Sequence, residues 1–238
     1  MAECDGAKIE GAVESIYCGS GVDGKGLRVV VFFGGCNLRC PFCHNPETLY
    51  RECEKTTAEA VAVRCLRYRG YIKRGGVTLS GGEPFFQPEF CLAVIRLLRR
   101  ENIHVVVETN GHIVDREIIS AADGFIVDVK NQTTDDLSVY EEFLGECDRA
   151  GKEVVLTNVL VPEVNDTNEK IDALSDLKDG HACVERLKFL PFRKICEGKY
   201  AELGLGFPFG KYREAEYEDV CRAESRRRRA GRGARAGE

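Results

Sequence analysis

Three cysteines stand close together in the segment GGCNLRCPFCHNPETL, at Cys36, Cys40 and Cys43. Thiolates are soft ligands, suited to zinc or to iron–sulfur centres. A closed structural zinc site takes four ligands. His44 is the nearest candidate for a fourth, but it follows Cys43 directly, and adjacent residues chelate one ion poorly. A 4Fe–4S cluster usually takes four cysteines. Three would leave one iron open, and an open iron is a place for a substrate to bind. Spacing alone leaves zinc and cluster about equally open. The Gly34-Gly35 lead-in and the density of thiols argue against unrelated core cysteines.

The chain around this loop has 238 residues and 12 cysteines, with 43 % hydrophobic and 31 % charged residues. That is the balance of an ordinary soluble globular protein. The opening MAECDGAKIE has no apolar leader, and no apolar run is long enough to span a bilayer. A cytoplasmic location and reduced thiols are therefore expected, with no membrane partner. Cys65, Cys91 and Cys183 fall in apolar periodic contexts and are expected in the core. The net charge is -5, but residues 222–238 carry +5, so residues 1–221 carry about -10. A body this acidic lacks the basic face that nucleic acid requires. One domain is expected over 1–221, followed by an Arg-rich, disordered tail over 222–238.

Strand and helix patterns alternate along the chain. Strands are expected at 27–33, 77–79, 104–107, 125–129, 154–161 and 184–190. Helices are expected at 57–68, from Pro88 onward, and at 115–121, 135–150 and 167–177. Repeated βα units imply a parallel sheet with right-handed crossovers. Six strands could close partly into a barrel or stay open and doubly wound, and periodicity does not decide between these.

The unusual polar clusters all fall at strand ends. Cys36 to Cys43 follow the first strand, and Gly81-Gly82-Glu83 the second. Glu108-Thr109-Asn110-Gly111 close the third, Asp128 to Lys130 the fourth, and Leu190-Pro191-Phe192-Arg193 the sixth. Sites in parallel α/β folds form at the carboxyl ends of strands. Five clusters on one rim argue for one site. Asp128 and Lys130 lie two apart on a strand and so share a face. A charged pair pointing inward is costly without a ligand.

The spacing C-x3-C-x-aromatic-C, here Cys36, Cys40, Phe42 and Cys43, resembles the radical S-adenosylmethionine (SAM) signature. The stretch GSGVDGKGLRVVVFFGGCNLRCPFCHNPET is similar to the opening of glycyl-radical-enzyme activases, most of all those that activate pyruvate formate-lyase. SGGEP, VETNG, VDVK, LVPEVND and LPF recur in the order that family shows, over roughly residues 10–205. The resemblance implies an α/β fold, a partial (β/α)6 barrel. It implies a 4Fe–4S cluster on Cys36, Cys40 and Cys43, with SAM chelating the fourth iron.

The resemblance also implies site roles. Gly81, Gly82 and Glu83 would meet the amino end of SAM. Thr109, Asp128 and Lys130 would lie near its ribose and carboxylate. Phe42 and His44 would flank the adenine and the peptide. Asp23, in GVDGKG, would lie near an incoming glycine peptide. Lys25 stands there in place of the family's proline and is expected to leave that loop less rigid. Glu108, Thr109 and Asp128 match positions that surround a monovalent cation. Two positions depart from the family: Thr157 stands where an arginine is usual, and Arg193 where a histidine is frequent. Arg193 is expected to take over an anionic contact to SAM.

The activity implied is reductive cleavage of SAM and generation of a glycyl radical on a partner enzyme, pyruvate formate-lyase or a relative. A flavodoxin or ferredoxin would supply the electron. Two other readings stay open on the residues: a radical SAM enzyme acting on a small molecule, and a non-catalytic zinc-binding module.

Overall fold

The structure, a computed structural model, describes residues 6–233, with side chains through Arg227. It divides into two compact units, residues 6–109 with 113–126, and residues 110–112 with 127–233. Cys4 lies outside the described residues.

The first unit runs β1 (Glu10–Ser20), β2 (Arg28–Phe33), α1 (Glu47–Tyr50), β3 (Glu54–Thr57), α2 (Ala58–Leu66), β4 (Gly76–Gly81), α3 (Pro88–Arg100), β5 (Val105–Thr109), α4 (Arg116–Ala121) and the opening residues of β6 (Gly124–Asp128). β2, β4 and β5 are parallel neighbours, as the βα repeats predict. β1 and β3 were not anticipated. They add two antiparallel strands beyond β2, in the order β3-β1-β2-β4-β5.

The helices form where their patterns place them. Ala58, Val61, Ala62 and Cys65 are the buried residues of α2, and the Thr57 hydroxyl caps it by accepting the Ala60 N–H. Pro88 opens α3, where its missing N–H costs nothing. Cys91, Val94, Ile95 and Leu98 are fully buried on α3. Asp115 caps α4 by accepting the N–H groups of Glu117 and Ile118, a bond that typically contributes about 1 kcal/mol.

The second unit holds the end of β6, then α5 (Ser138–Arg149), β7 (Glu153–Leu160), α6 (Asn168–Asp179), β8 (Val184–Pro191), α7 (Glu197–Glu202) and α8 (Tyr217–Gly233). β7 and β8 are parallel, with Thr157 opposite Lys188 and Val159 opposite Leu190. Three buried asparagines tie the loops after β6 and β7 together. Asn158 donates to the Val129 carbonyl at 2.7 Å and to Asn131 Oδ1 at 2.8 Å, and Asn165 donates to the same Asn131 oxygen at 2.8 Å. A buried polar network of this kind is tolerable only when its members are satisfied.

Residues 222–227 continue α8 rather than begin an irregular tail. Arg222 pairs with Asp166 at 2.5 Å, and Arg226 pairs with Asp172. Opposite charges on α6 and in the loop before it thus hold a segment whose composition alone reads as disordered. Residues 234–238 lie outside the described residues. Among the described residues, no helix is long and apolar enough to cross a membrane.

The core thiols differ from expectation at one position. Cys65 and Cys91 are buried, as are Cys147 and Cys196, but Cys183 is only half-buried. Cys183 immediately precedes β8, where its N–H bonds Asp148 Oδ1 at 2.7 Å. Burial pushes the Cys65 and Cys147 thiols up to about 12, so these stay protonated and chemically quiet.

Candidate active site

The cysteine loop leaves the end of β2 and returns at once. The Gly35 N–H bonds the Thr48 carbonyl at 2.7 Å, closing the loop at its stem. Thr48 is buried, and its hydroxyl bonds the Asn45 carbonyl at 2.7 Å. Within the loop the Cys43 N–H bonds the Cys40 carbonyl at 3.1 Å, and Phe42 is buried. Cys36, Cys40, Cys43 and His44 remain half-exposed.

Glycines bring a second segment against this stem. The Gly82 N–H bonds the Phe33 carbonyl at 2.8 Å, and the Glu83 N–H bonds the Gly35 carbonyl at 2.9 Å. A Cβ on Gly82 would lie 1.9 Å from the Gly35 oxygen. Gly81 has φ +105°, and a Cβ there would lie 2.3 Å from the Phe33 nitrogen. These glycines are therefore required first by the approach of two backbones, whatever ligand they later meet. Gln87 reinforces the joint. Its side-chain amide donates to the Gly34 and Ala12 carbonyls at 2.9 and 3.0 Å, and its oxygen accepts the Ala12 N–H at 2.7 Å.

Glu83 is 1 % exposed. Its Oε1 accepts the Phe85 N–H at 3.1 Å and the Thr109 hydroxyl at 2.8 Å. The ends of β4 and β5 are thereby joined through a buried carboxylate. Glu108, next to Thr109, accepts the Ser80 hydroxyl at 2.6 Å. Burial pushes the Cys36 thiol up to about 11, and the charges of Glu83, Cys40 and Cys43 add to the rise. Among the described residues, no three His, Cys, Asp or Glu side chains close into a metal-holding group in the protein alone. The donor set nonetheless fits an iron–sulfur cluster: three soft thiols stand on one short loop.

Asp23 lies elsewhere on the first unit. Its loop sits at the opening of β2 and β4, where the Thr78 hydroxyl donates to the Asp23 carbonyl at 2.6 Å. The loop is held without proline. The fully buried Arg28 donates to the Lys25 carbonyl at 3.2 Å and to Thr78 Oγ1 at 2.6 Å. Burial lowers the Arg28 guanidinium to about 10, still a cation at neutral pH.

The second unit carries Asp128, Lys130 and Arg193. Lys130 Nζ bonds Asp128 Oδ2, while Asp128 Oδ1 is buried with no hydrogen-bond partner among the described residues. Tyr140, 1 % exposed, fixes this segment from beneath. Its hydroxyl oxygen accepts the Lys130 N–H at 2.7 Å and lies 3.3 Å from His112 Nε2. Burial, with the charge of Lys130, holds the His112 imidazole below its ordinary value. The Arg193 guanidinium donates to the Ala215 carbonyl at 2.8 Å and pairs with Glu214 at 3.8 Å.

Comparison with known proteins gives this arrangement a family. A model described as a 4Fe-4S single cluster domain matches residues 22–137, which contain all three loop cysteines, Glu83, Thr109 and Asp128. The chain is 34% identical over 224 residues to the pyruvate formate-lyase-activating enzyme of Clostridium pasteurianum, covering 89% of this chain and 93% of that one. The chain belongs to the pyruvate formate-lyase-activating enzyme family.

The Escherichia coli (strain K12) pyruvate formate-lyase 1-activating enzyme is 30% identical over 206 residues, covering 79% of this chain and 82% of its own. Among solved structures, a radical SAM methyltransferase from Sphaerobacter thermophilus superposes with TM-score 0.59 at 21% identity, over 86% of this chain and 64% of that one. QueE from Escherichia coli gives 0.56 at 14% identity, over 83% and 92%. At such identities these structures show the fold alone: the α/β, partial (β/α)6 barrel that the family resemblance implies.

Sequence reasoning missed Gln87 and Tyr140, because one amide and one tyrosine carry no spacing pattern of their own.

Proposed function

We propose that the chain is a radical SAM activase that generates a glycyl radical on a partner enzyme of the pyruvate formate-lyase kind. Cys36, Cys40 and Cys43 would hold the 4Fe–4S cluster. When bound there, the cluster would supply the one electron for reductive cleavage of the sulfonium–C5′ bond of SAM, which gives methionine and the 5′-deoxyadenosyl radical. That radical takes a hydrogen atom from a glycine α-carbon, leaving 5′-deoxyadenosine and a glycyl radical.

The observation that carries this reading is the joint between the cysteine loop and the Gly81-Gly82-Glu83 segment. It sets a buried carboxylate beside Cys36, where it can receive the ammonium of a ligand bound at an open iron. Phe42 is buried in the loop, and the half-exposed His44 would meet the adenine or the peptide. Thr109 orients Glu83. Lys130 and Asp128 form a charged pair fit for the carboxylate and hydroxyl groups of SAM. Asp23 is assigned to the incoming peptide, on a loop that Arg28 already fixes. A flavodoxin or ferredoxin is the donor the one-electron chemistry calls for.

Anaerobic purification tests the reading. About four irons per chain, with release of 5′-deoxyadenosine from SAM under reductant, would support it. A colourless protein holding zinc and no iron would refute it.

A further inference from the structure

One run in the first unit is strongly basic. Residues 60–76 hold five cations, Arg64, Arg67, Arg69, Lys73 and Arg74, and no acid, on a body whose net charge is about -10. All five are exposed. The run leaves α2 in consecutive tight turns: the Tyr71 N–H bonds the Tyr68 carbonyl at 2.8 Å, and the Gly75 N–H the Ile72 carbonyl at 3.0 Å. Ile72 is 1 % exposed and anchors these turns in the core, while its neighbour Tyr71 is 72 % exposed. Tyrosine and arginine are the residues in which protein interfaces are enriched.

This run adjoins the loop that carries Asp23. Gly26 lies against the Arg74 carbonyl, where a Cβ would come within 2.6 Å of the oxygen. Lys25 is exposed on that loop, and Arg28 holds its carbonyl at 3.2 Å. The loop thus brings a further cation to the same edge of the sheet, at the opening of β2 and β4. The acids nearby are engaged. The Ser20 hydroxyl donates to Asp23, Arg69 pairs with Glu101 at 3.2 Å, and Arg99 pairs with Asp123 at 3.2 Å. Arg67, Lys73 and Arg74 form no ion pair among the described residues.

We propose that this basic face docks an acidic surface of the protein that carries the radical glycine, a step that rests on the activase reading above and gives its partner a chemical character. Asp23, assigned to the incoming peptide, lies on the adjoining loop. A partner whose glycine loop reaches Asp23 therefore has its body beside Lys73 and Arg74. An electron carrier fits this position less well. The cysteine loop follows the far end of β2, and a strand of six residues rising about 3.3 Å per residue sets the two ends about 17 Å apart. Nucleic acid fits the charge less well, because a long polyanion also meets the acidic body. A local acidic patch meets only the charges within about a Debye length, ~8 Å at physiological salt.

The test offers the anaerobically reconstituted protein intact pyruvate formate-lyase, or a short peptide spanning its radical glycine. Radical formation is read by electron paramagnetic resonance, and binding of the intact enzyme by calorimetry with SAM and no reductant. The charge reversal K73E/R74E is expected to weaken binding of the intact enzyme and raise its KM about tenfold or more. It should leave kcat, turnover of the peptide and cleavage of SAM unchanged. The neutral K73Q/R74Q should lose a few-fold. Added salt should weaken the parent's binding and change the reversed variant little. Iron content and circular dichroism equal to the parent's confirm that each variant is folded. Unchanged affinity and KM in K73E/R74E overturn the proposal. So does an equal loss with the short peptide, or a raised KM for the electron donor alone. RNA binding by the parent that the reversal abolishes, with the enzyme's KM unchanged, overturns it too. A parent that cleaves SAM but neither binds pyruvate formate-lyase nor leaves a radical on it overturns the activase reading itself, and this proposal with it.

Discussion

The Thr109 hydroxyl donates to Glu83 Oε1 at 2.8 Å, and the carboxylate it meets is 1 % exposed. This bond fixes the end of β5 to the segment after β4. Removing the donor leaves a buried charge short of one partner. Thr109→Val is therefore expected to cost about 1.5–3 kcal/mol in urea unfolding, whereas Thr109→Ser should cost well under 1 kcal/mol on the same scale. Equal stability for Thr109→Val and the parent would show that the bond does not hold the site.

The glycine joint makes a sharper contrast. Gly82→Ala puts a methyl 1.9 Å from the Gly35 oxygen, with backbone on both sides. The cysteine stem must move, and iron retained after reconstitution should fall steeply, with at least about 2 kcal/mol lost in stability. Gly70 has nothing within 4 Å of a built Cβ. Gly70→Ala should hold full iron and shift stability by less than about 1 kcal/mol. Iron assay and thermal unfolding of the two variants read both outcomes.

Tyr140 is expected to act on binding as well as on stability. Tyr140→Phe keeps the ring and removes the oxygen that accepts the Lys130 N–H at 2.7 Å. Losing that acceptor and the bond to His112 should cost about 1–3 kcal/mol. It should also weaken SAM binding, because Lys130 is held through its backbone. A stability loss with SAM affinity unchanged would make Tyr140 a packing residue only.

Acid stability has a local source in α8. Arg213 grips Asp219 at 2.7 and 2.9 Å, and the carboxylate also accepts the Glu216 N–H at 2.9 Å. Chiefly through the Arg213 hydrogen bonds, its value is held down to about 2. A depressed carboxylate stabilises the fold above its unfolded value of about 4, and that contribution disappears as pH falls toward 2. Arg213 is nearly half-exposed, so the contribution should stay below about 1 kcal/mol. Asp219→Asn should lower stability at pH 7 by that amount and flatten the profile between pH 4.5 and 2. An unaltered profile would remove the assignment.

The parallel strands and their helices were legible because their apolar runs are continuous or strictly periodic. The strand-end clusters were legible for a related reason: Gly-Gly-Glu and Asp-x-Lys are conspicuous against apolar neighbours. β1 and β3 were not. EGAVESIYCGS mixes exposed and buried positions without clean alternation, and β3 is four residues whose pairing exists only because β1 is there. The helical state of residues 222–227 depends on Asp166 and Asp172, more than 50 positions earlier.

The central claim is tested most directly by electron paramagnetic resonance. Anaerobically reconstituted protein, SAM, a low-potential reductant and a glycyl radical enzyme of the pyruvate formate-lyase kind are mixed, and the partner's spectrum is recorded. A glycyl-radical doublet that disappears in Cys36→Ala, Cys40→Ala and Cys43→Ala is predicted. A loaded cluster that cleaves SAM yet leaves no doublet on any such partner would contradict the account and favour a small-molecule substrate.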